Sequence, residues 1–127
     1  MQERHLFEYA IIRVMPRVER EEFLNVGVIL LCKKLGFLKA VYELNPQRLQ
    51  ALCGNCDLAD VAAHLSALTR IATGEKEAGP IAQLDVAGRF RWLTAKRSTV
   101  VQASSVHPGL CEDPTAMLER LFREMVL

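Results

Sequence analysis

The 127-residue sequence predicts an α+β fold, an antiparallel sheet of three to four strands covered by helices, and two features carry that prediction. Three strand-type runs joined by short connections fill residues 6–44, the pattern of an N-terminal antiparallel meander. From residue 45 onward Asn or Asp repeatedly precedes apolar residues at helical spacing, the pattern of capped helices laid on a sheet. The length fits one domain, residues 1–127. At this size a chain buries roughly two-thirds of its unfolded surface and needs neither metal nor disulfide to hold together.

Residues 6–15 are rich in β-branched and aromatic types, and Pro16 ends the run by removing a backbone donor. Period-two counting places Ala10, Ile12 and Val14 on one face and Tyr9, Ile11 and Arg13 on the other. A charge-dense connection, residues 17–22, leads to a second run, 23–32, that is apolar on both faces apart from Asn25 and Gly27. Such a strand is covered on both sides or central in its sheet. Lys33-Lys34-Leu35-Gly36 reads as a hairpin turn. The third run, 37–44, sends Leu38, Ala40, Tyr42 and Leu44 inward and Lys39 and Glu43 toward a wetter face.

Asn45-Pro46 opens a short helix that runs through Cys53 and stops at Gly54. Asp57 caps a longer helix that buries Leu58, Val61, Ala62, Leu65, Leu68 and Ala72 and ends at Gly74. After a polar loop, Pro80 opens a third helix through Leu93 with Ile81, Leu84, Gly88 and Trp92 on one stripe. Residues 98–102 form a fourth strand, which pairs beside the first or the third, and 103–112 form a loop. Asp113-Pro114 starts a last helix with a buried stripe of Met117, Leu118, Leu121, Phe122 and Met125.

Half of the residues are apolar and about a quarter charged, and sixteen cations against fifteen anions leave a formal charge of +1. This excludes a protein whose whole surface grips nucleic acid or anionic lipid, while leaving room for local basic patches. Charges interrupt the first ten residues where a signal peptide would be apolar, and no run reaches bilayer length; a soluble cytoplasmic protein without a membrane partner is expected. Cys32, Cys53, Cys56 and Cys111 are too few and too unevenly placed for a secreted disulfide framework, so free thiols are expected.

Three groups of residues are able to carry chemistry. Cys53-Gly54-Asn55-Cys56 has the spacing of a redox pair or of half a zinc site, which His107 and Cys111 would complete. The pair straddles a helix break rather than opening a long helix after a strand, and buried free cysteines are common, so no metal and no cofactor is predicted. Arg89-Phe90-Arg91-Trp92, followed by Lys96-Arg97-Ser98-Thr99, interleaves cations with rings and hydroxyls in a way that suits phosphate and base stacking. The plainer reading buries Phe90 and Trp92 in the core and leaves the cations on a solvated helix end. Arg13, Arg20, Glu22 and Asn25 surround a glycine, Gly27, in the middle of an apolar strand; Asn25 and Gly27 fall on one face, and Arg13 or Glu22 can satisfy a buried Asn. His107 has Ser98, Ser104 and Ser105 nearby in sequence, but no glycine-flanked nucleophile turn accompanies them, so no catalytic residue is predicted.

Tyr9-Ala10-Ile11-Ile12-Arg13-Val14-Met15-Pro16, the segment Arg20 to Val28 with its Asn-Val-Gly-Val block, Gly79 to Ala95 with Arg-Phe-Arg-Trp-Leu, then Arg97-Ser98-Thr99, Gln102 and His107-Pro108-Gly109 together resemble the bacterial domain of unknown function 3037 family. The resemblance covers nearly the whole chain; Lys96 stands where the family often has proline, and the cysteines are outside the family pattern. It implies no activity or cofactor. It does imply a genomic neighbour, a HipA-like kinase-fold protein of the kind found in toxin–antitoxin pairs, and hence a non-enzymatic binding partner of that protein. The residues expected to line the interaction or ligand site are Arg13, Arg20, Glu22, Asn25, Arg89, Trp92, Arg97, Ser98 and His107, brought to one concavity. The alternative is a nucleic-acid- or nucleotide-binding module using Arg89, Arg91, Arg97 and His107, and a third reading is a homodimer joined through an exposed strand edge or an apolar helix stripe.

Overall fold

The computed structural model describes residues 3–97 and 99–127 and builds them into an antiparallel sheet with helices on both faces. The first three strands are β1 (His5–Val14), β2 (Leu24–Cys32) and β3 (Phe37–Tyr42), joined by two single 3-10 turns. They form the predicted meander, β1 against β2 and β2 against β3. Two later strands, β4 (Val101–Ala103) and β5 (His107–Cys111), both pair with the free edge of β1, so the sheet order is β3-β2-β1 followed by β4 and β5 end to end. The open question of the fourth strand is thereby answered in favour of β1. Four helices complete the chain: α1 (Pro46–Leu52), α2 (Leu58–Thr73), α3 (Val86–Leu93) and α4 (Pro114–Met125). No helix among the described residues is long and apolar enough to cross a membrane.

Alternation along β1 divides the core in two. Ala10, Ile12 and Val14 join Val26, Ile29 and Leu31 of β2 and pack on Leu49 of α1, Val61 and Leu65 of α2, and Phe90 and Leu93 of α3. Phe7 and Ile11, with Val28, Leu30 and Cys32 of β2, face the opposite way and are covered by Leu118 and Leu121 of α4. β2 is therefore buried on both sides, as its unbroken apolar run requires, and each enclosed Leu or Ile contributes about 1.5–3 kcal/mol relative to exposure. The second layer also recruits Phe37 and Val41, so the outer face of β3 is less wet than its Lys39 and Glu43 suggest.

The helix starts follow their caps. Asn45 accepts from the Gln47 and Arg48 amides, Asp57 from Asp60 and Asp113 from Thr115, and Gly74 ends α2 at a left-handed φ of 82°. The predicted helix from Pro80 to Leu93 is instead two pieces. A 3-10 turn over Pro80–Gln83 is followed by extended Leu84, and Asp85 caps α3 by accepting from the Gly88 amide. Because the phase of α3 is set at Asp85 and not at Pro80, the stripe of Ile81, Leu84, Gly88 and Trp92 does not form. Leu84 and Trp92 are 44% and 39% exposed, while Phe90 and Leu93 are buried. Ala62 and Met125 likewise face solvent.

The segment read as a loop, 103–112, contains β5. Pro108 is tolerated because the strand lies at the sheet edge, and Gly109 is required because a Cβ there would sit 2.6 Å from the ring of Phe7. Ser104 bridges β4 and β5. Its amide donates to the Ile11 carbonyl and its buried hydroxyl accepts from the Ile11 amide, both at 2.8 Å, replacing the ladder bonds lost where the strand bends. The predicted strand over 98–102 begins at Val101, and Ser98 lies outside the described residues.

Gly27 has no room for a side chain: a Cβ would lie 2.4 Å from the Val41 carbonyl oxygen and 2.8 Å from the Tyr42 Cβ. Gly27→Ala is expected to lower stability by roughly 1–3 kcal/mol through forced separation of β2 from β3. Gly54→Ala, which meets open space, should stay within about 0.5 kcal/mol. Denaturant midpoints of the two variants check both values.

Candidate functional site

The site begins with an irregularity in β2. Ile12 pairs with Gly27 but Arg13 pairs with Asn25, so Val26 is an extra residue that makes a bulge. Val26 joins Gly27 on the face of Ile12, whereas Asn25 is carried to the face of Arg13. Period-two counting, which puts Asn25 and Gly27 together, fails at this one residue. On its actual face Asn25 meets α4, and its Nδ2 donates to the Met125 carbonyl at 3.1 Å. Glu22 takes no part in that bond. The Asn25 Oδ1 and the Arg13 Nε, on paired residues, are both buried without a hydrogen-bond partner.

Beyond the end of α4 the guanidinium of Arg13 lies over the Phe23 ring at 4.1 Å and borders a cleft of about 530 Å3. Lys96 and Arg97 reach the same cleft from the segment after α3, Gln102 and Ser104 form its floor, and Glu21 is the one acid among its lining residues. Glu21 stands at a left-handed φ of 56°, its amide closing the 3-10 turn on the Val18 carbonyl. Arg97 stacks on the Trp92 ring at 4.1 Å and donates to the Trp92 carbonyl. Among the described residues no carboxylate pairs with Arg13, Lys96 or Arg97. Three cations around one concavity repel one another, and an anion placed there would relieve the repulsion.

The other expected site residues lie elsewhere. Arg20 and Glu22 bond to each other at the surface, where the guanidinium holds the Glu22 carboxyl below its usual range, and they border a separate hollow beside Cys53 and Asn55. Arg89 belongs to the opposite face of the sheet. Its Nη1 donates to the Leu84 carbonyl at 2.6 Å and its guanidinium packs against Gly74 at the end of α2, so it ties α2, the Pro80–Gln83 turn and α3 together. Arg13 and Arg89 are thus separated by the sheet and do not share a concavity. Arg91 is held by Glu8 of β1 through two bonds of 2.8 and 2.7 Å, which favour its charged form. His107 is on β5, exposed, with its ring 5.4 Å from that of Tyr9.

The four cysteines are free. Cys53 and Cys56 sit at the break between α1 and α2, whereas His107 and Cys111 are on β5, with Cys111 in the second core beside Cys32. The postulated zinc set therefore stays divided, and no three His, Cys, Asp or Glu among the described residues are grouped to hold a metal. Burial, then the hydrogen bond with Cys53, pushes the Cys56 thiol up to about 11. Redox centres show the opposite shift.

Four lining residues are missing from the expected site: Glu21 and Phe23, and Ser104 and Ser105, which the sequence offers only as partners of His107, become neighbours of Arg13 through the turn after β1 and the bend between β4 and β5. Residues 9–126 match the family model described as a protein of unknown function, DUF3037. No curated protein and no solved structure matches the chain.

The environment of Cys56 predicts slow alkylation. At pH 8 it should react with iodoacetamide roughly a hundredfold more slowly than an unhindered cysteine, because only the thiolate is nucleophilic. The rate should climb about tenfold per pH unit toward a pKa near 11, which site-resolved mass spectrometry measures.

Proposed function

The chain belongs to the DUF3037 family of proteins of unknown function, and from that membership and the cationic cleft we propose that it is a non-catalytic binding module whose cleft receives an anionic group of a partner. The observation that carries this reading is the gathering of Arg13, Lys96 and Arg97 around one hollow while other arginines of the chain are already engaged. Arg89 and Arg91 are bonded to a carbonyl and a carboxylate of the protein itself, whereas among the described residues no carboxylate pairs with Arg13, Lys96 or Arg97, and the one bond Arg97 makes is to the Trp92 carbonyl. The partner we propose is a HipA-like kinase-fold protein of the bacterial cytoplasm, presenting an acidic or phosphorylated segment.

Co-expression with that neighbour tests the reading. A complex should form at micromolar concentration, and Arg13→Gln with Arg97→Gln should weaken it at least about tenfold per lost charge-assisted contact. Lys39→Gln, an exposed charge on β3 that is not among the cleft's lining residues, should leave affinity unchanged within about twofold. Undiminished affinity in the double variant, or no complex with the wild type, would overturn the proposal. A second reading, a single-stranded nucleic acid or nucleotide in the cleft, is favoured by the Phe23 ring that lines it beside Arg13. It predicts a log–log dependence of affinity on salt with a slope of about −2 for three cations.

A further inference from the structure

A third hollow, of about 230 Å3, lies between α2, α3 and β4. Leu68 and Ile71 of α2, Trp92 and Leu93 of α3 and Val101 of β4 make its walls apolar; its polar lining residues are His64, Arg97 and Thr99, whose hydroxyl already donates to the Val101 carbonyl at 2.8 Å. Two observations set it apart from a packing gap. Trp92 leaves 39% of itself exposed here, although its neighbour Phe90 is fully buried. The Arg97 guanidinium is held over the indole at 4.1 Å with one Nη on the Trp92 carbonyl, which leaves its other N–H groups for a ligand, and among the described residues no carboxylate pairs with it. His64 already faces an acid, with its Nδ1 3.9 Å from Asp60, so Arg97 is the group left to meet a ligand's charge.

An apolar hollow with one cation at its mouth is complementary to a molecule with an apolar body and a single carboxylate. We infer that this hollow binds a small apolar carboxylic acid, its tail against Leu68, Ile71, Leu93 and Val101 and its carboxylate on Arg97. The volume is below the lower limit of about 300 Å3 for pockets that hold drug-sized ligands, which selects medium-chain or single-ring acids over long-chain fatty acids. The proposal stands apart from the cationic cleft, although Arg97 borders both.

Octanoate and octanol, equal in length and different in charge, are the probes. Trp92 is the single tryptophan, so its fluorescence reports occupancy, and calorimetry measures affinity independently. Octanoate should bind saturably and at least about tenfold more tightly than octanol. Arg97→Gln should reduce the acid to the affinity of the alcohol. Ala67→Phe, which fills the hollow from the exposed side of α2, should abolish binding of both while the thermal midpoint confirms that the fold persists. The inference is overturned by the absence of saturable octanoate binding to the wild type at millimolar concentration, by equal affinity for acid and alcohol, or by undiminished octanoate affinity in Arg97→Gln. The last variant leaves the apolar walls intact, and calorimetry reads its affinity independently of the Trp92 ring that Arg97 covers, so it decides the matter even if Ala67→Phe does not fold.

Discussion

β2 approaches β3 so closely at Gly27 that no side chain fits between them, and beside that contact its ladder with β1 slips by a residue. Both events follow from a strand that is buried on two faces and must satisfy two neighbours at once. The backbone contact pins the register with β3, where the Gly27–Tyr42 and Val28–Val41 pairs continue unbroken to Cys32. The bulge then absorbs the mismatch with β1 and turns Asn25 toward α4. Without it Asn25 would point into the layer filled by Leu49, Val61 and Leu65, where an unpartnered amide is destabilising by roughly 1–3 kcal/mol.

The positive charges divide by the work they do. Arg91 joins α3 to β1 through a two-bond grip on Glu8, the kind of pair whose fixed geometry makes it worth more than an ordinary surface contact. Arg89 donates to the Leu84 carbonyl and supplies a cation to the end of α2, which is a structural role on a helix terminus. Arg17, Arg20, Arg70 and Arg120 are in exposed pairs, where solvent screens the attraction. The cleft cations stand out against that background, because Arg13 and Arg97 rest on aromatic faces instead of on acids.

Most of the architecture is legible in the sequence because the signals are local. Pro16 after β1, the double apolar run of β2 and the Asn45, Asp57 and Asp113 caps each act within a few residues. Where the reading goes wrong, a distant contact has overruled a local cue. Pro108 and Gly109 look like a loop until Phe7 and the edge of β1 are in place, and Pro80 looks like a helix start until Asp85 captures the Gly88 amide. The site was less legible still. Arg13, Arg89 and Arg91 are the same residue type in similar surroundings along the chain, and only the sheet between them decides which one faces a hollow and which ones close on the protein itself.

The end of α4 is held from two directions. Asn25 of β2 takes the Met125 carbonyl, and Nη1 of Arg48, from α1, takes the carbonyl of the next residue, Val126, at 2.9 Å. One strand and one helix of the opposite layer thus meet on two consecutive peptide units. That junction is a rivet through the sandwich, fastening the two helical layers to each other at one place, whereas the paired Leu6 and Leu110 at the edge of the sheet carry no cover.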